Sequence, residues 1–128
     1  MRLLLDTHVF LWYISGDTRL SESWQQAVRE SEAVFLSTVS VWECVIKFGL
    51  AKLALPEAPD VYLPRQRERH GIASLGIDEG VFSFLAKLPH RHRDPFDRML
   101  VAQALQYDLT LATVDPAVTA YGAKFLPS

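Results

Sequence analysis

The 128-residue sequence lacks the features of several protein classes. Its single cysteine, Cys44, excludes an intramolecular disulfide and favours a reducing compartment, where a buried, inert thiol is expected. No apolar run approaches the roughly 18 residues that a membrane span needs. Asp6 and His8 interrupt the apolar start, and no small-residue cleavage site follows, so a secretory signal is not expected. These absences predict a cytoplasmic protein.

The sequence also lacks a strong net charge. Its 13 Lys and Arg against 15 Asp and Glu give a formal net charge of −2, so no overall positive field indicates a nucleic-acid partner. The net charge would mislead if some of the acids bind metal ions. With four acids used in this way, the basic residues outnumber the remaining acids, and the rest of the surface is mildly cationic. No glycine-rich loop follows a predicted strand, which argues against a nucleotide-binding fold.

The length and the 49% hydrophobic content suit one domain, residues 1–128, with a substantial core. Predicted strands cover residues 3–5, 33–36, 72–75, 109–113 and 124–126. Predicted helices cover residues 21–32, 37–49, 61–70, 78–88 and 95–107. Parallel strands need crossover connections, which are usually helical, so this alternation predicts an α/β sandwich with a mostly parallel sheet.

Four acids stand at the ends or beginnings of these elements. Asp6 and Asp115 each follow an apolar strand, and open α/β sheets bind ligands beyond the carboxyl ends of their strands. Glu43 and Asp97 lie early in helices that can point at the same rim. Clustered carboxylates repel one another unless cations compensate, and Mg²⁺ or Mn²⁺ prefers such oxygen ligands. A paired-metal site at this rim would stabilise the entering and leaving oxygens of a phosphoryl displacement.

Each acid also has a purely structural interpretation. The segment Ser40-Val41-Trp42-Glu43 fits a capping box, in which Glu43 reaches back to the amide of Ser40. Asp94 is placed to cap a helix that begins at Pro95, and Asp115 and Asp6 are placed to cap the segments after them. Spacing alone leaves capping and metal binding open.

Four stretches of the chain together resemble the PIN-domain family, and most closely the VapC-type toxins of bacterial toxin–antitoxin pairs. The matching stretches are LLLDTH at 3–8, SVWE at 40–43 continuing to IK at 46–47, DPFDRMLVAQA at 94–104 and LATVD at 111–115. They occur in the right order over nearly the whole chain. The resemblance therefore implies a PIN-like α/β/α sandwich.

The resemblance also implies a function. It implies an endoribonuclease that depends on magnesium or manganese and holds its metals with Asp6, Glu43, Asp97 and Asp115. Members of this type are usually homodimers and are inhibited by a small antitoxin that inserts a peptide into the active-site groove. Some members carry a further acid after the last matched strand, where this chain has Pro116-Ala117-Val118; this departure leaves the set of four acids intact.

Accessory residues lie beside the four acids. Asp94 belongs to the same helix-start motif but suits a cap, and Thr7 and Thr113 are placed to orient the acids by hydrogen bonds. Basic residues near the site are candidates for contacts with RNA phosphates. They are His90, Arg91, His92, Arg93 and Arg98, together with Lys47, whose position four residues after Glu43 also fits an ordinary ion pair. Trp12, Trp24 and Trp42 are interpreted as core or interface residues.

Two other functions compete with this hypothesis. A haloacid-dehalogenase-like phosphatase also places an aspartate after its first strand, but it needs a second aspartate two residues later, where this chain has His8. A catalytically inactive module that binds RNA or a protein partner is disfavoured because all four acids are present.

Overall fold

A computed structural model describes residues 1–90 and 94–127 of the chain. In these residues the sheet consists of the strands β1 (Arg2–Leu5), β2 (Ala33–Ser37), β3 (Ala73–Leu75), β4 (Thr110–Ala112) and β5 (Lys124–Phe125). The helices are α1 (Thr7–Ser15), α2 (Glu22–Glu30), α3 (Thr38–Gly49), α4 (Pro59–Arg69), α5 (Val81–Ala86), α6 (Pro95–Tyr107) and α7 (Pro116–Thr119). The predicted α/β class is confirmed.

The five strands form one sheet in the order β3-β2-β1-β4-β5, and every neighbouring pair is parallel. The chain builds outward from β1 on one side through β2 and β3, and then returns to the other side of β1 for β4 and β5. The direction of winding therefore changes between β1 and β4. A crevice opens at such a switch point beyond the carboxyl ends of the strands.

Strand β1 is buried on both faces, which is why its residues form a continuous apolar run. Leu3 and Leu5 pack with residues of α1, α2 and α4, including Phe10, whereas Leu4 packs with residues of α5, α6 and α7. Alternate residues of a strand point to opposite faces, so these two clusters lie on opposite sides of the sheet. The result is the expected three-layer α/β/α sandwich.

The helices begin where local chemistry favours them. Ser21 accepts a hydrogen bond from the Trp24 amide, and Ser37 accepts one from the Val39 amide. Helix α6 begins at Pro95 after the cap Asp94, as predicted. The predicted helix over residues 78–88 is shorter and covers only Val81–Ala86, because residues 78–80 form a turn closed by the Asp78 carboxylate and carbonyl.

No helix in the described part of the chain has both the length and the apolar character of a bilayer-crossing segment.

Candidate active site

A cleft of about 460 Å³ lies at the carboxyl ends of β1 and β4. Its walls carry the four acids that the sequence predicts as metal ligands, Asp6, Glu43, Asp97 and Asp115, and also the accessory acid Asp94. The acids come from the ends of two strands and from two helices that the sheet brings to the same edge. We call this cavity the acidic cleft.

Asp6 is fixed by two other segments of the chain. Its Oδ2 accepts a hydrogen bond of 2.7 Å from the Thr113 hydroxyl, and its Oδ1 accepts one of 2.8 Å from the His8 amide, which makes Asp6 the N-cap of α1. The Thr113 hydroxyl also accepts a bond of 3.2 Å from the Asp115 amide. Thr113 therefore orients Asp6, as predicted, and also ties β1 to the start of α7.

Glu43 is 3% exposed, and both of its carboxylate oxygens have partners. The Thr7 hydroxyl donates to Oε1 at 2.8 Å, and the Lys47 ammonium donates to Oε2 at 2.5 Å. Thr7 Oγ1 also lies 2.8 Å from the buried Ser40 hydroxyl. The alternative that Glu43 closes a capping box with Ser40 is wrong, because Ser37 caps α3 and Glu43 lies in the second turn.

The remaining acids of the cleft lie at helix starts. Asp94 Oδ1 accepts hydrogen bonds from the amides of Phe96 and Asp97, at 2.9 and 3.3 Å, so it caps α6 as predicted. Asp97 follows in the first turn of α6. Asp115 caps α7 by accepting from the Ala117 amide at 2.9 Å. Asp94 and Asp115 thus each cap a helix and line the cleft.

Lys47 is bound to one of these acids, Glu43. Its hydrogen bond to Glu43 raises the pKa of its ammonium, and the negative charges of Glu43, Asp94 and Asp97 raise it further. The direction of this shift shows that the ammonium lies in a negative field.

The chemistry of the donor set fits a hard divalent cation, because the acidic cleft offers carboxylate oxygens from five side chains. These side chains line the cleft without forming a close cluster. Within residues 1–90 and 94–127, no three His, Cys, Asp or Glu side chains lie close enough together to hold one metal ion. Glu43 is turned to Thr7 and Lys47, and Asp6 to Thr113, so their oxygens serve bonds within the protein.

The predicted RNA-binding residues are separated by the structure. Lys47 lines the acidic cleft. Arg98 does not, since its guanidinium donates to the Pro89 carbonyl at 2.7 Å and to the Tyr121 hydroxyl at 3.1 Å. His90 is exposed, and the predicted contacts Arg91, His92 and Arg93 fall outside the described residues. Arg98 thus joins the start of α6 to the segments around it.

Sequence reasoning missed four of the described residues in the wall of the acidic cleft. They are His8, Trp12, Arg19 and Val114. Arg19 is held by Asp17 at 2.7 Å, and its guanidinium lies 5.2 Å from the centre of the Trp12 ring. His8 could have been predicted as a residue of the cleft, because it lies only two residues after Asp6. No local pattern indicates that the turn carrying Arg19 packs beside α1.

A family model for the PIN domain matches residues 3–124, which is nearly the whole chain and includes all four predicted ligands. The chain belongs to the PIN domain family. Ribonuclease VapC22 of Mycobacterium tuberculosis is 30% identical to it over 119 residues, which cover 88% of this chain and 86% of that protein. The predicted family is confirmed.

Solved structures share the same fold. VapBC2 from Rickettsia felis, bound to a DNA fragment from its promoter, superposes on this PIN domain with a TM-score of 0.73 at 12% identity, over 98% of both chains. DNA-bound VapBC from Salmonella typhimurium superposes with a TM-score of 0.69 at 16% identity, over 98% of this chain and 97% of that one. The architecture is therefore conserved at identities too low to compare individual site residues.

Proposed function

We propose that this PIN-domain protein is a divalent-metal-dependent endoribonuclease and the toxin of a toxin–antitoxin pair, acting in the cytoplasm as a single domain. The observation that carries the proposal is the acidic cleft, a single cavity that Asp6, Glu43, Asp97 and Asp115 line although they are far apart in sequence. The similarity to ribonuclease VapC22 supports RNA as the substrate.

We propose Asp6, Glu43, Asp97 and Asp115 as the ligands of magnesium or manganese. A bound ion of this kind would supply Lewis-acid chemistry at a phosphodiester and lower the pKa of an attacking water. The protein holds the carboxylates in place through the Thr113 and Thr7 hydroxyls, which donate to Asp6 and Glu43. Arg19 and Lys47 place positive charge on the wall of the cleft, where an RNA phosphate backbone can approach.

The chain also offers a surface for the antitoxin. A second cavity of about 360 Å³ shares His8, Trp12 and Arg19 with the acidic cleft and continues over apolar side chains that include Leu53 and Leu55. A groove that is apolar along its length and charged at one end suits an amphipathic peptide. We propose that the antitoxin inserts its peptide here and covers the acidic cleft.

The test of the catalytic proposal is cleavage of RNA by the purified chain in Mg²⁺. We expect EDTA to stop cleavage and added Mg²⁺ to restore it. Asp97→Asn should abolish cleavage, because it removes a proposed ligand, whereas Asp94→Asn keeps an acceptor for the cap of α6 and should retain part of the activity. The matched control is Asp60→Asn, which changes an exposed acid outside the cleft and should leave cleavage unchanged.

Cleavage that continues undiminished in EDTA would contradict the proposed chemistry. RNA binding without cleavage in Mg²⁺ would instead favour the inactive binding module. Equal loss of activity in folded Asp94→Asn and Asp97→Asn proteins would give Asp94 a catalytic role.

A further inference from the structure

The ion pair between Lys47 and Glu43 involves a carboxylate that we propose as a metal ligand. Lys47 Nζ lies 2.5 Å from Glu43 Oε2, and the two residues are one helical turn apart on α3. The Glu43 side chain is 4% exposed and that of Lys47 is 38% exposed, so a buried carboxylate meets an ammonium that reaches solvent. The Lys47 ammonium thus binds Glu43 Oε2, one of the oxygens that we propose as metal ligands.

The other basic residues of the cleft wall are placed differently. Arg19 is bound to Asp17, which lies outside the acidic cleft. His8 Nδ1 lies 4.0 Å from Asp6 Oδ1, a longer separation that is an ion pair only when the imidazole is protonated. Of these three, Lys47 makes the shortest contact with a cleft carboxylate. It is therefore best placed to compensate the repulsion between the acids.

The side-chain arrangement of Glu43 follows from this pairing. With Oε1 bonded to Thr7 and Oε2 bonded to Lys47, the carboxylate is directed at its own helix and at α1. This orientation is consistent with the absence, among the described residues, of three acids close enough to share a metal ion. A divalent cation at Glu43 would meet the ammonium as a like charge at the same oxygen.

We propose that Lys47 is a built-in counter-ion of the acidic cleft, which holds Glu43 while no metal is bound and must release Oε2 when a divalent cation enters. Lys47 and the metal therefore compete for one carboxylate. The inference deepens the proposed function, because it rests on metal binding at Glu43. The ammonium therefore compensates negative charge in the folded protein, and the cleft binds metal more weakly than it would without Lys47.

The experiment compares Lys47→Met with the wild type and with Lys52→Met. Lys52 is an exposed lysine beyond the end of the same helix and outside the cleft, so its variant removes an equal charge without touching Glu43. Titration with Mg²⁺ alone, followed by calorimetry, should give Lys47→Met a dissociation constant lower than that of the wild type by a factor of about five. Thermal unfolding in EDTA should show a lower midpoint for Lys47→Met. Lys52→Met should match the wild type in both measurements.

A second comparison separates competition at Glu43 from a general effect of charge. In a Glu43→Gln background, Lys47→Met should give no further gain in Mg²⁺ affinity, because the contested carboxylate is gone. An equal gain in that background would overturn the proposal. Lys47→Gln gives the same comparison if Lys47→Met does not fold.

Two results distinguish this inference from the proposed function. Normal Mg²⁺ binding by the wild type, with unchanged or weaker binding by a folded Lys47→Met protein, would overturn the inference and leave the nuclease proposal in place. Failure of both proteins to bind Mg²⁺ or Mn²⁺ would overturn the inference together with the metal-dependent function.

Discussion

Single residues at the site combine two tasks that the sequence presents as alternatives. Asp6, Asp94 and Asp115 each accept a backbone amide at the start of a helix, and each also faces the acidic cleft. A helix start supplies both an amide donor and a position at the end of a strand or loop, so a carboxylate can cap the helix and also line the cavity. Capping is therefore no argument against a role in the site.

Other contacts of single residues could not be predicted from the sequence. The spacing of Ser40 and Glu43 fits a capping box, but Ser37 begins the helix three residues earlier. Whether Glu43 meets a serine of its own helix or Thr7 depends on how α1 packs against α3, which no local pattern encodes. Arg98 is a similar case, because its partners Pro89 and Tyr121 are distant in sequence.

The thiol of Cys44 should be inert in the folded protein. Burial raises the pKa of Cys44 from its usual value of 9.0 to about 12, with a smaller contribution from the charge of Glu43. At pH 9.0 we expect no alkylation by iodoacetamide in buffer and rapid alkylation in denaturant. Rapid alkylation of the native protein at that pH would show that α3 opens or that Cys44 is exposed.

The same shift has a consequence for stability. A thiol that binds its proton more tightly in the folded state stabilises that state fully below pH 9.0 and loses this contribution as the pH rises towards 12. We therefore expect the urea midpoint to decrease over this pH range by more in the wild type than in Cys44→Ala.

At the scale of helices and strands, the sequence predicted most elements to within a few residues. The strands of the sheet and the long helix Pro95–Tyr107 were recognised because their apolar patterns and capping residues agree. The helix at Val81–Ala86 was overpredicted, since its apolar spacing does not reveal that the Asp78 turn delays its start.

Two glycines in these elements should respond in opposite ways to alanine. Gly16 ends α1 in a left-handed conformation, with a φ of 66°, so Gly16→Ala should lower the free energy of unfolding by about 1 kcal/mol. Gly49 is the last residue of α3, and a Cβ there meets nothing within 4 Å. Gly49→Ala should therefore raise the free energy of unfolding by about 0.5 kcal/mol. Urea denaturation of both variants measures the difference, and equal effects would contradict the assigned backbone conformations.

At the scale of the whole molecule, the parallel sheet was predictable but its strand order was not. Helices between strands favour parallel pairing, yet they do not reveal that β1 is central and that β4 pairs with the side of β1 opposite β2. That order is what brings Asp115 to Asp6. The acids of the cleft were thus predicted, while the hydrogen bonds that fix them depend on the three-dimensional arrangement.

We propose that two chains associate through α3. Trp42, Val45 and Ile46 of this helix, and Leu50 after it, expose 56%, 44%, 38% and 60% of their surface. Their spacing places them on one side of the helix, and exposed apolar stripes of this kind mark interfaces.

Light scattering coupled to size-exclusion chromatography should give the mass of two chains for the wild type. Val45→Glu should shift the mass to one chain, because it introduces a charge into the stripe. Ile77→Glu changes an exposed apolar residue outside α3 and should leave the dimer intact. A monomeric wild type would exclude the interface.

The bond between Thr113 and Asp6 joins positions at opposite ends of the matched region, 107 residues apart. A polypeptide interrupted before Thr110 already contains Asp6, Glu43 and Asp97, but it lacks β4, one of the two strands that pair with β1, and the hydroxyl that orients Asp6. A ribosome making this protein therefore carries no finished cleft until it has added Thr113 and Asp115.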